Sequence, residues 1–407
     1  MSQSLRAFVS GRLKTVGDSG RMRRRRVVEG SHGVHLRVDG VDCLNFCSND
    51  YLGLASDARL SDALSRAAGK VGVGSAASQL VTGYNAEHAA LEAELASWVG
   101  RERALLFSTG YAANVGTISA LLGKADHIVT DALNHASLID GSRLSGATKH
   151  IYAHADAEAA EVALADCGTG HRLLITDSVF SMDGDTAPLA ALADLADTHD
   201  AWLAVDDAHG LGVFGPQGAG RVAQAGLDSH RVPLLLATLG KSVGAAGAFV
   251  AGDADVIEAI AQSARSFIFS TAMPPAIAAA ARTGVAVARA ADAERAHLHA
   301  LIMYFRRAMA HADIPLGVSD SPIQPLIVGP EDLACALSDA LLAAGFLVGA
   351  IRPPTVAPGT SRLRITLSAA HDFAQVDALI DALQAAWHRL MPAHDVVSRQ
   401  APMVELS

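Results

Sequence analysis

Six short apolar runs between residues 104 and 251, each closed at once by polar or small residues, constrain this chain most. They fall at 104–107, 127–129, 173–176, 202–205, 234–237 and 248–251. Runs this short suit strands buried on both faces. Helical patterns such as 87–99 and 189–198 lie between them. Strands alternating with helices predict parallel βαβ units, and hence an α/β fold built on a large, mostly parallel sheet. Aromatic residues are only 5% of the chain and alanine and glycine are plentiful, which favours close helix-to-sheet layers.

The pattern changes after about residue 290. A long helix precedes a strand over 324–328, a helix over 331–344, strands near 347–351 and 363–367, and a last helix over about 372–390. The expected organisation is therefore an N-terminal segment (1–55), a large cofactor-binding domain (56–290), a smaller C-terminal α+β domain (291–390) and a loosely held tail (391–407).

Half of the 407 residues are hydrophobic and 18% are charged, enough for a large core and too apolar for a disordered chain. Thirty-two Lys and Arg against 42 Asp and Glu leave a net charge of −10, which argues against nucleic acid or an anionic membrane as a partner. The exception is local, where Arg21 and Arg23 to Arg26 crowd together. Cys43, Cys47, Cys167 and Cys335 form neither a C-x-x-C pair nor a disulfide framework. The uncharged stretch 104–123 could span a bilayer by length, but its hydroxyls and amides suit a buried strand, turn and helix. Without an apolar leader, a cytoplasmic protein is expected.

Several motifs mislead. The run from Gly210 to Gly215 is a full G-x-G-x-x-G after a strand, yet Pro216, Gly218 and Gly220 follow where a helix should open. The variant from Gly72 to Ala77 follows a helical pattern instead of a strand. Gly240-Lys241-Ser242 ends like a phosphate loop, but Leu235 stands at the position of the required first glycine. His150 and His154 are four apart without a third ligand, so a solvated helix or loop face is expected and no metal site.

Chemistry gathers instead at successive strand ends. The run 202–205 leads into Asp206, Asp207 and His209, and 234–237 leads into Thr238 and Lys241. Ligands of parallel sheets sit beyond the carboxyl ends of the strands, so these groups converge on one crevice. A lysine after an apolar strand, with small neighbours from Gly244 to Gly247, is a candidate Schiff-base lysine because desolvation lowers its pKa. With an aspartate beside it, that lysine calls for pyridoxal phosphate, whose ring nitrogen needs an anionic partner; Asp206 suits that role. Residues 107–111 lie between a strand and a helix start, where free backbone N–H groups would hold the phosphate. For Asp183 and Asp207 a structural role in a turn is the default, with Asp207 the first alternative to Asp206 beside the ring.

At this point the residues resemble a known family. The runs Asn45 to Leu54 (NFCSNDYLGL), Thr82 to Tyr84, Asp131 to Leu138, Val179 to Gly184 and Val205 to Gly210 look like the α-oxoamine synthases, from about Leu44 to His371. These are fold-type-I pyridoxal-phosphate transferases that condense an amino acid with an acyl thioester and release CO₂. The segments from Asp183 to Leu189, Ser270 to Pro275 and Ile351 to Leu367 resemble the members that join L-alanine to a pimeloyl thioester, carried by CoA or acyl carrier protein, in biotin synthesis. Other acyltransferases of the family and a fold-type-I aminotransferase are the alternatives. A non-enzymatic scaffold fits poorly with an intact Lys241, Asp206 and His209.

The resemblance implies roles. Lys241 would hold the cofactor covalently, Asp206 would pair with the ring nitrogen, and His209 would meet the phenolic oxygen with Ser178 nearby. Gly110, Tyr111 and Thr238 would seat phosphate and cofactor, and His135 would stack on the ring and feel the substrate. Asn49 and Arg352 resemble the pair that receives the amino-acid carboxylate, Thr355 lies in a substrate loop, and Arg23 aligns with a substrate-binding arginine. The resemblance also implies a homodimer with composite sites, to which Ser270 and Thr271 would contribute.

Overall fold

The computed structural model describes residues 3–390, so the expected tail at 391–407 lies outside the described residues. Helix α1 (Gln3–Asp18) is followed by short strands β1 (Val28–Glu29), β2 (His35–Val38) and β3 (Val41–Asn45). Helices α2 (Ala58–Val71) and α3 (Ala86–Val99) lead into the alternating part. It runs β4 (Arg103–Phe107), α4 (Gly110–Leu121), β5 (His127–Asp131), α5 (Ala136–Ser145), β6 (Thr148–Tyr152) and α6 (Ala157–Ala165). It continues through β7 (Arg172–Asp177), α7 (Leu189–Thr198), β8 (Trp202–Asp206), α8 (Arg221–Gln224), β9 (Leu234–Thr238) and β10 (Ala248–Gly252). Helices α9 (Ala254–Ser263), α10 (Arg265–Ile268), α11 (Pro275–Ala290) and α12 (Asp292–His311) come next. The chain then forms β11 (Ile323–Gly329), α13 (Glu331–Ala343), β12 (Phe346–Leu347), β13 (Gly349–Ile351), β14 (Ser361–Thr366) and α14 (Phe373–Leu390).

Seven strands form the large sheet in the order β4-β10-β9-β8-β7-β5-β6. Successive residues of each apolar run enter cores on opposite faces. Leu106, Leu174, Leu203, Leu235 and Phe249 pack on one side. Leu105, Leu173, Ala204, Leu234 and Val250 pack on the other. Burial on both faces is why the runs are uniformly apolar instead of alternating. Strands β5 to β9 run parallel, but β10 is antiparallel to both β4 and β9. The expectation of a further parallel strand at 248–251 is corrected here. Only residues 239–247 join β9 to β10, and a parallel crossover needs a dozen or more. Strand β6, absent from the sequence reading, is the polar edge strand of the sheet.

The glycine-rich run after β8 is a packed turn. A Cβ on Gly210 would lie 1.9 Å from Asp207 Oδ1, and one on Gly220 would lie 2.1 Å from Asp207 Oδ2. Those glycines make room for a buried carboxylate, so the apparent dinucleotide fingerprint has a steric origin, and only a three-residue 3-10 turn (Pro216–Gly218) follows it directly. The stretch 104–123 forms β4 and α4, and among the described residues no helix is long and apolar enough to cross a membrane. All four cysteines are free.

A second core gathers α12, α13 and α14 on a three-stranded antiparallel sheet of order β11-β14-β13. Phe46 and Tyr51 insert into this core from the N-terminal segment, and β3 pairs with β12. The residues after β3 therefore lie between the two cores, with Leu52 and Leu54 on the large-sheet side.

Candidate active site

Strands β7, β8 and β9 end at Asp177, Asp206 and Thr238, and their carboxyl ends carry the polar centre of the molecule. Lys241 Nζ lies 2.8 Å from His209 Nε2. Burial pushes the amine down to about 8, against the pull of Asp206 and Asp177. His209 is held well below the usual imidazole range by burial, with Lys241 adding to the effect. Its other nitrogen lies 2.5 Å from the Tyr51 hydroxyl, which in turn reaches Asn49 Oδ1 at 3.3 Å. The direction of donation is consistent along this line. Lys241 donates to His209 Nε2, His209 Nδ1–H donates to Tyr51, and the Tyr51 hydroxyl donates to Asn49.

Asp206 is fixed from two sides. Asn114 Nδ2, on α4, donates to Asp206 Oδ2 at 2.7 Å, and the Ala208 N–H donates to Oδ1 at 3.0 Å. Asn114 also donates to Ser137 Oγ at 2.8 Å, and Ser137 Oγ lies 2.6 Å from His135 Nδ1. The His135 N–H donates to Asp177 Oδ2 at 2.7 Å. Desolvation lowers the pKa of His135; Asp206 opposes that shift and Lys241 adds to it. Asp177 is raised well above the carboxylate range by burial and by the nearby Asp206 charge.

Thr109 caps α4, its Oγ1 accepting from the Ala112 N–H at 3.1 Å, so Gly110 and Tyr111 stand at an open helix N-terminus. Gly110 faces Thr238 across the mouth of this turn, with 4.0 Å from a Cβ at Gly110 to Thr238 Cβ. The structure thus brings together Gly110, Tyr111, His135, Asp206, His209, Thr238 and Lys241. Ser178, expected near the phenolic oxygen of the cofactor, follows Asp177 directly at the end of β7. It is fully buried and its Oγ donates to Asp207 Oδ1 at 2.5 Å. Asp207, raised to about 7 by burial, also accepts from the Val222 N–H, so Ser178 and Asp207 together organise the turn after β8.

The expected pairing of Asn49 with Arg352 is corrected. Arg364, buried on β14, donates to Asn49 Oδ1 at 3.0 Å and to the Ser181 carbonyl at 2.5 Å. Arg352 instead donates to the Gly20 and Met22 carbonyls at 2.6 and 3.0 Å, which ties the arginine-rich segment to the loop after β13. Arg23 donates to Thr355 Oγ1 at 3.1 Å. Arg23 and Thr355 line a cavity of about 730 Å³ together with Arg24, Arg26, Cys47 and Arg352.

Tyr51, Asn114, Asp177 and Arg364 complete the site and were not singled out from the sequence. A signal existed for Arg364. Two arginines, Arg362 and Arg364, on a strand buried along its whole length must find buried partners. Arg362 finds Asp183, as a structural ion pair. The expected solvated face for His150 and His154 is also corrected. His150 lies on β6, and His154 just beyond it donates to Asp131 at 3.0 Å and to Asp185 at 2.8 Å. Despite the cost of burial, those two carboxylates raise His154 to about 10.

Comparison with known proteins decides among the enzymes that could use such a centre. The profile described as aminotransferase class I and II matches residues 41–383. A protein named 8-amino-7-oxononanoate synthase from Alkalilimnicola ehrlichii is 54% identical over 88% of this chain and 90% of its own length. One of the same name from Thioalkalivibrio sulfidiphilus is 50% identical over 93% and 96%. The chain belongs to the 8-amino-7-oxononanoate synthases, within the class I and II aminotransferase family. Among solved structures it is similar to serine palmitoyltransferase from S. paucimobilis with a bound pyridoxal-phosphate–myriocin adduct (TM-score 0.89, 30% identity, 94% and 97% covered). It is also similar to 8-amino-7-oxononanoate synthase from Francisella tularensis (TM-score 0.74, 30% identity, 84% and 97% covered). The α/β fold is thus that of fold-type-I enzymes.

Proposed function

We propose that this chain condenses L-alanine with a pimeloyl thioester, releasing CO₂ and free thiol to give 8-amino-7-oxononanoate for biotin synthesis, with pyridoxal phosphate as cofactor. The observation that carries this reading is the convergence of Lys241, Asp206 and His209, in a chain half identical to proteins of that name. The donor set fits the cofactor. A buried amine with a depressed pKa stands beside a hydrogen-bonded carboxylate and an imidazole, opposite an open helix N-terminus.

Lys241 would hold the cofactor aldehyde, Asp206 the ring nitrogen, His209 the phenolic oxygen, and Gly110, Tyr111 and Thr238 the phosphate. Bound there, pyridoxal phosphate supplies the electron sink for cleaving bonds at the amino-acid α-carbon. Arg364, set by Asn49 and the Ser181 carbonyl, offers its guanidinium to the alanine carboxylate. Once free, the Lys241 amine takes the α-proton, a task for which a base near pKa 8 is well matched. The α-carbon bonds to the thioester carbonyl as the C–S bond breaks and thiol leaves. After the carboxylate departs as CO₂, Lys241 returns a proton to the same carbon. His135, steered by Ser137, would cover the ring face.

A pimeloyl donor ends in a carboxylate, and Arg23 beside Thr355 in the arginine-lined cavity is suited to receive it or the phosphates of the carrier. We also propose a cytoplasmic homodimer. Val73, Leu80, Val81 and Phe269 expose an apolar surface around the Ser78–Thr271 bridge, next to the open phosphate turn. Thiol release measured across alanine, glycine and serine with pimeloyl, acetyl, succinyl and palmitoyl thioesters tests the reading. Alanine with pimeloyl thioester should be turned over fastest. A clear preference for any other pair would leave the family standing and overturn this substrate assignment.

A further inference from the structure

At the amino ends of the large sheet, away from the cofactor centre, the polar edge strand β6 meets the start of β5 and the end of α6. His127 opens β5, and its register partner on β6 is Thr148. His150, two residues on, shares that face of the sheet. The two imidazoles face each other with His127 Nδ1 3.1 Å from His150 Nε2. Cys167 follows α6, and its Sγ and the two histidine nitrogens all lie within 4.8 Å of one another.

The outer nitrogens define the chemistry. His127 Nε2 lies 3.2 Å from the Thr169 carbonyl, and His150 Nδ1 lies 3.7 Å from Asp166 Oδ2. The Thr169 carbonyl is within hydrogen-bond reach of His127 Nε2, which favours a proton there and turns the Nδ1 lone pair of His127 toward His150. Between His127 Nδ1 and His150 Nε2, 3.1 Å apart, a cation can take the place of the shared proton. A carbonyl partner on the far nitrogen is a support that histidine ligands of metal sites use. Two nitrogens 3.1 Å apart subtend roughly 100° at an ion with bonds of about 2.0 Å, close to tetrahedral. Turning the Cys167 side chain away from the Ala163 carbonyl, to which its thiol donates at 3.4 Å, would bring Sγ to the third position. His150 also lines a surface groove with Ala163 and Asp166, so one side of the cluster borders solvent.

We propose that His127, His150 and Cys167 form a binding site for a zinc-class divalent cation, separate from the catalytic centre. Two imidazoles and a thiolate select zinc, cobalt or copper over magnesium or calcium. Binding displaces the thiol proton to solvent as the metal–sulfur bond forms, with no change of oxidation state. The bound ion would tie the β5–β6 edge to α6.

Holoenzyme cleared of metal with a chelator, then gel-filtered under a phosphine reductant, is titrated with Co²⁺ while visible d–d bands are followed beyond the cofactor absorption. Zn²⁺ is then added in competition. One tetrahedral cobalt per chain, displaced by zinc, is expected. His150→Ala and Cys167→Ser should each weaken binding by more than about tenfold, and Asp166→Asn by less. Thiol release in the condensation assay should be unchanged in all three and reports that the chain is folded. Should Cys167→Ser lose that activity through misfolding, His150→Ala, on the sheet edge, carries the test alone. Absence of tetrahedral cobalt in the unaltered protein, or equal binding by folded variants, overturns the proposal.

Discussion

The carboxyl ends of β7 to β9 and the arginine-rich turn at residues 21–26 are both polar, but they are built in opposite ways. In the first, Asp177, Asp206 and His209 are buried and each is answered by a hydrogen-bond partner. In the second, Arg24 and Arg26 stand in solvent and approach Asp39 and Asp339 no closer than 3.7 and 3.9 Å. Exposed pairs of that kind contribute little and leave the guanidinium groups available to a ligand. Buried groups set reactivity, whereas exposed ones gather and orient. The difference teaches where a substitution should stop turnover and where it should only weaken binding.

Lys241→Ala tests the buried region hardest. Turnover should fall by on the order of four decades, because both the covalent anchor and the base are removed. Borohydride reduction and peptide mapping of the unaltered enzyme should label Lys241, and a label on another lysine would sink the assignment. Asp206→Asn should cost on the order of two to three decades in rate while the protein still binds cofactor. Near-normal turnover would show that another carboxylate serves the ring.

Lys241, Asp206 and His209 were legible because they stand at or within three residues of the ends of two apolar strands, β9 for the lysine and β8 for the other two. The three helices and the strands after residue 290 were legible for a similar reason, since their periodicity is local. The partners that hold the site were not. Tyr51 meets His209, Asn114 meets Asp206 and Arg364 meets Asn49 across 158, 92 and 315 residues of sequence. No local pattern encodes such distances. Arg352, paired with Asn49 by resemblance alone, is another such case, since its guanidinium is taken up by main-chain carbonyls of the N-terminal turn.

That pair of arginines sharpens the comparison. Arg364→Ala should raise the Michaelis constant for alanine by roughly tenfold to a hundredfold, the value of a charge-assisted contact. Arg352→Ala should leave alanine binding nearly unchanged, because its contacts brace the arginine segment. Steady-state titration of alanine at saturating thioester distinguishes the two, and the reverse ranking would restore Arg352 as the carboxylate receiver.

His154 probes the same carboxyl ends through stability. Its folded pKa of about 10 lies above the ordinary histidine value, so its contribution is fully present below about pH 6.5 and is lost as pH rises through 10. His154→Gln should lower the melting temperature on the order of 5 °C near pH 6.5. The gap to the unaltered protein should narrow steadily towards pH 10. A gap independent of pH would mean that packing on Phe180, and not charge, is what His154 supplies.

The smallest effect belongs to the exposed region. Arg23 donates to Thr355 at 3.1 Å across the mouth of the arginine-lined cavity, so its guanidinium is positioned without being neutralised by an acid. Arg21, by contrast, is held by Glu331 in a two-point ion pair and is the less available of the two. Arg23→Ala should raise the Michaelis constant for pimeloyl thioester about tenfold and leave that for alanine unchanged. Lysine should restore little, because a point charge cannot reproduce a two-point contact to carboxylate or phosphate. The effect should shrink as salt is added, in keeping with an exposed charge, whereas that of Arg364→Ala should persist. If loss of Arg23 instead weakened alanine, the cavity would belong to the amino-acid side of the site. The division between a buried reacting centre and an exposed docking rim would then have to be redrawn.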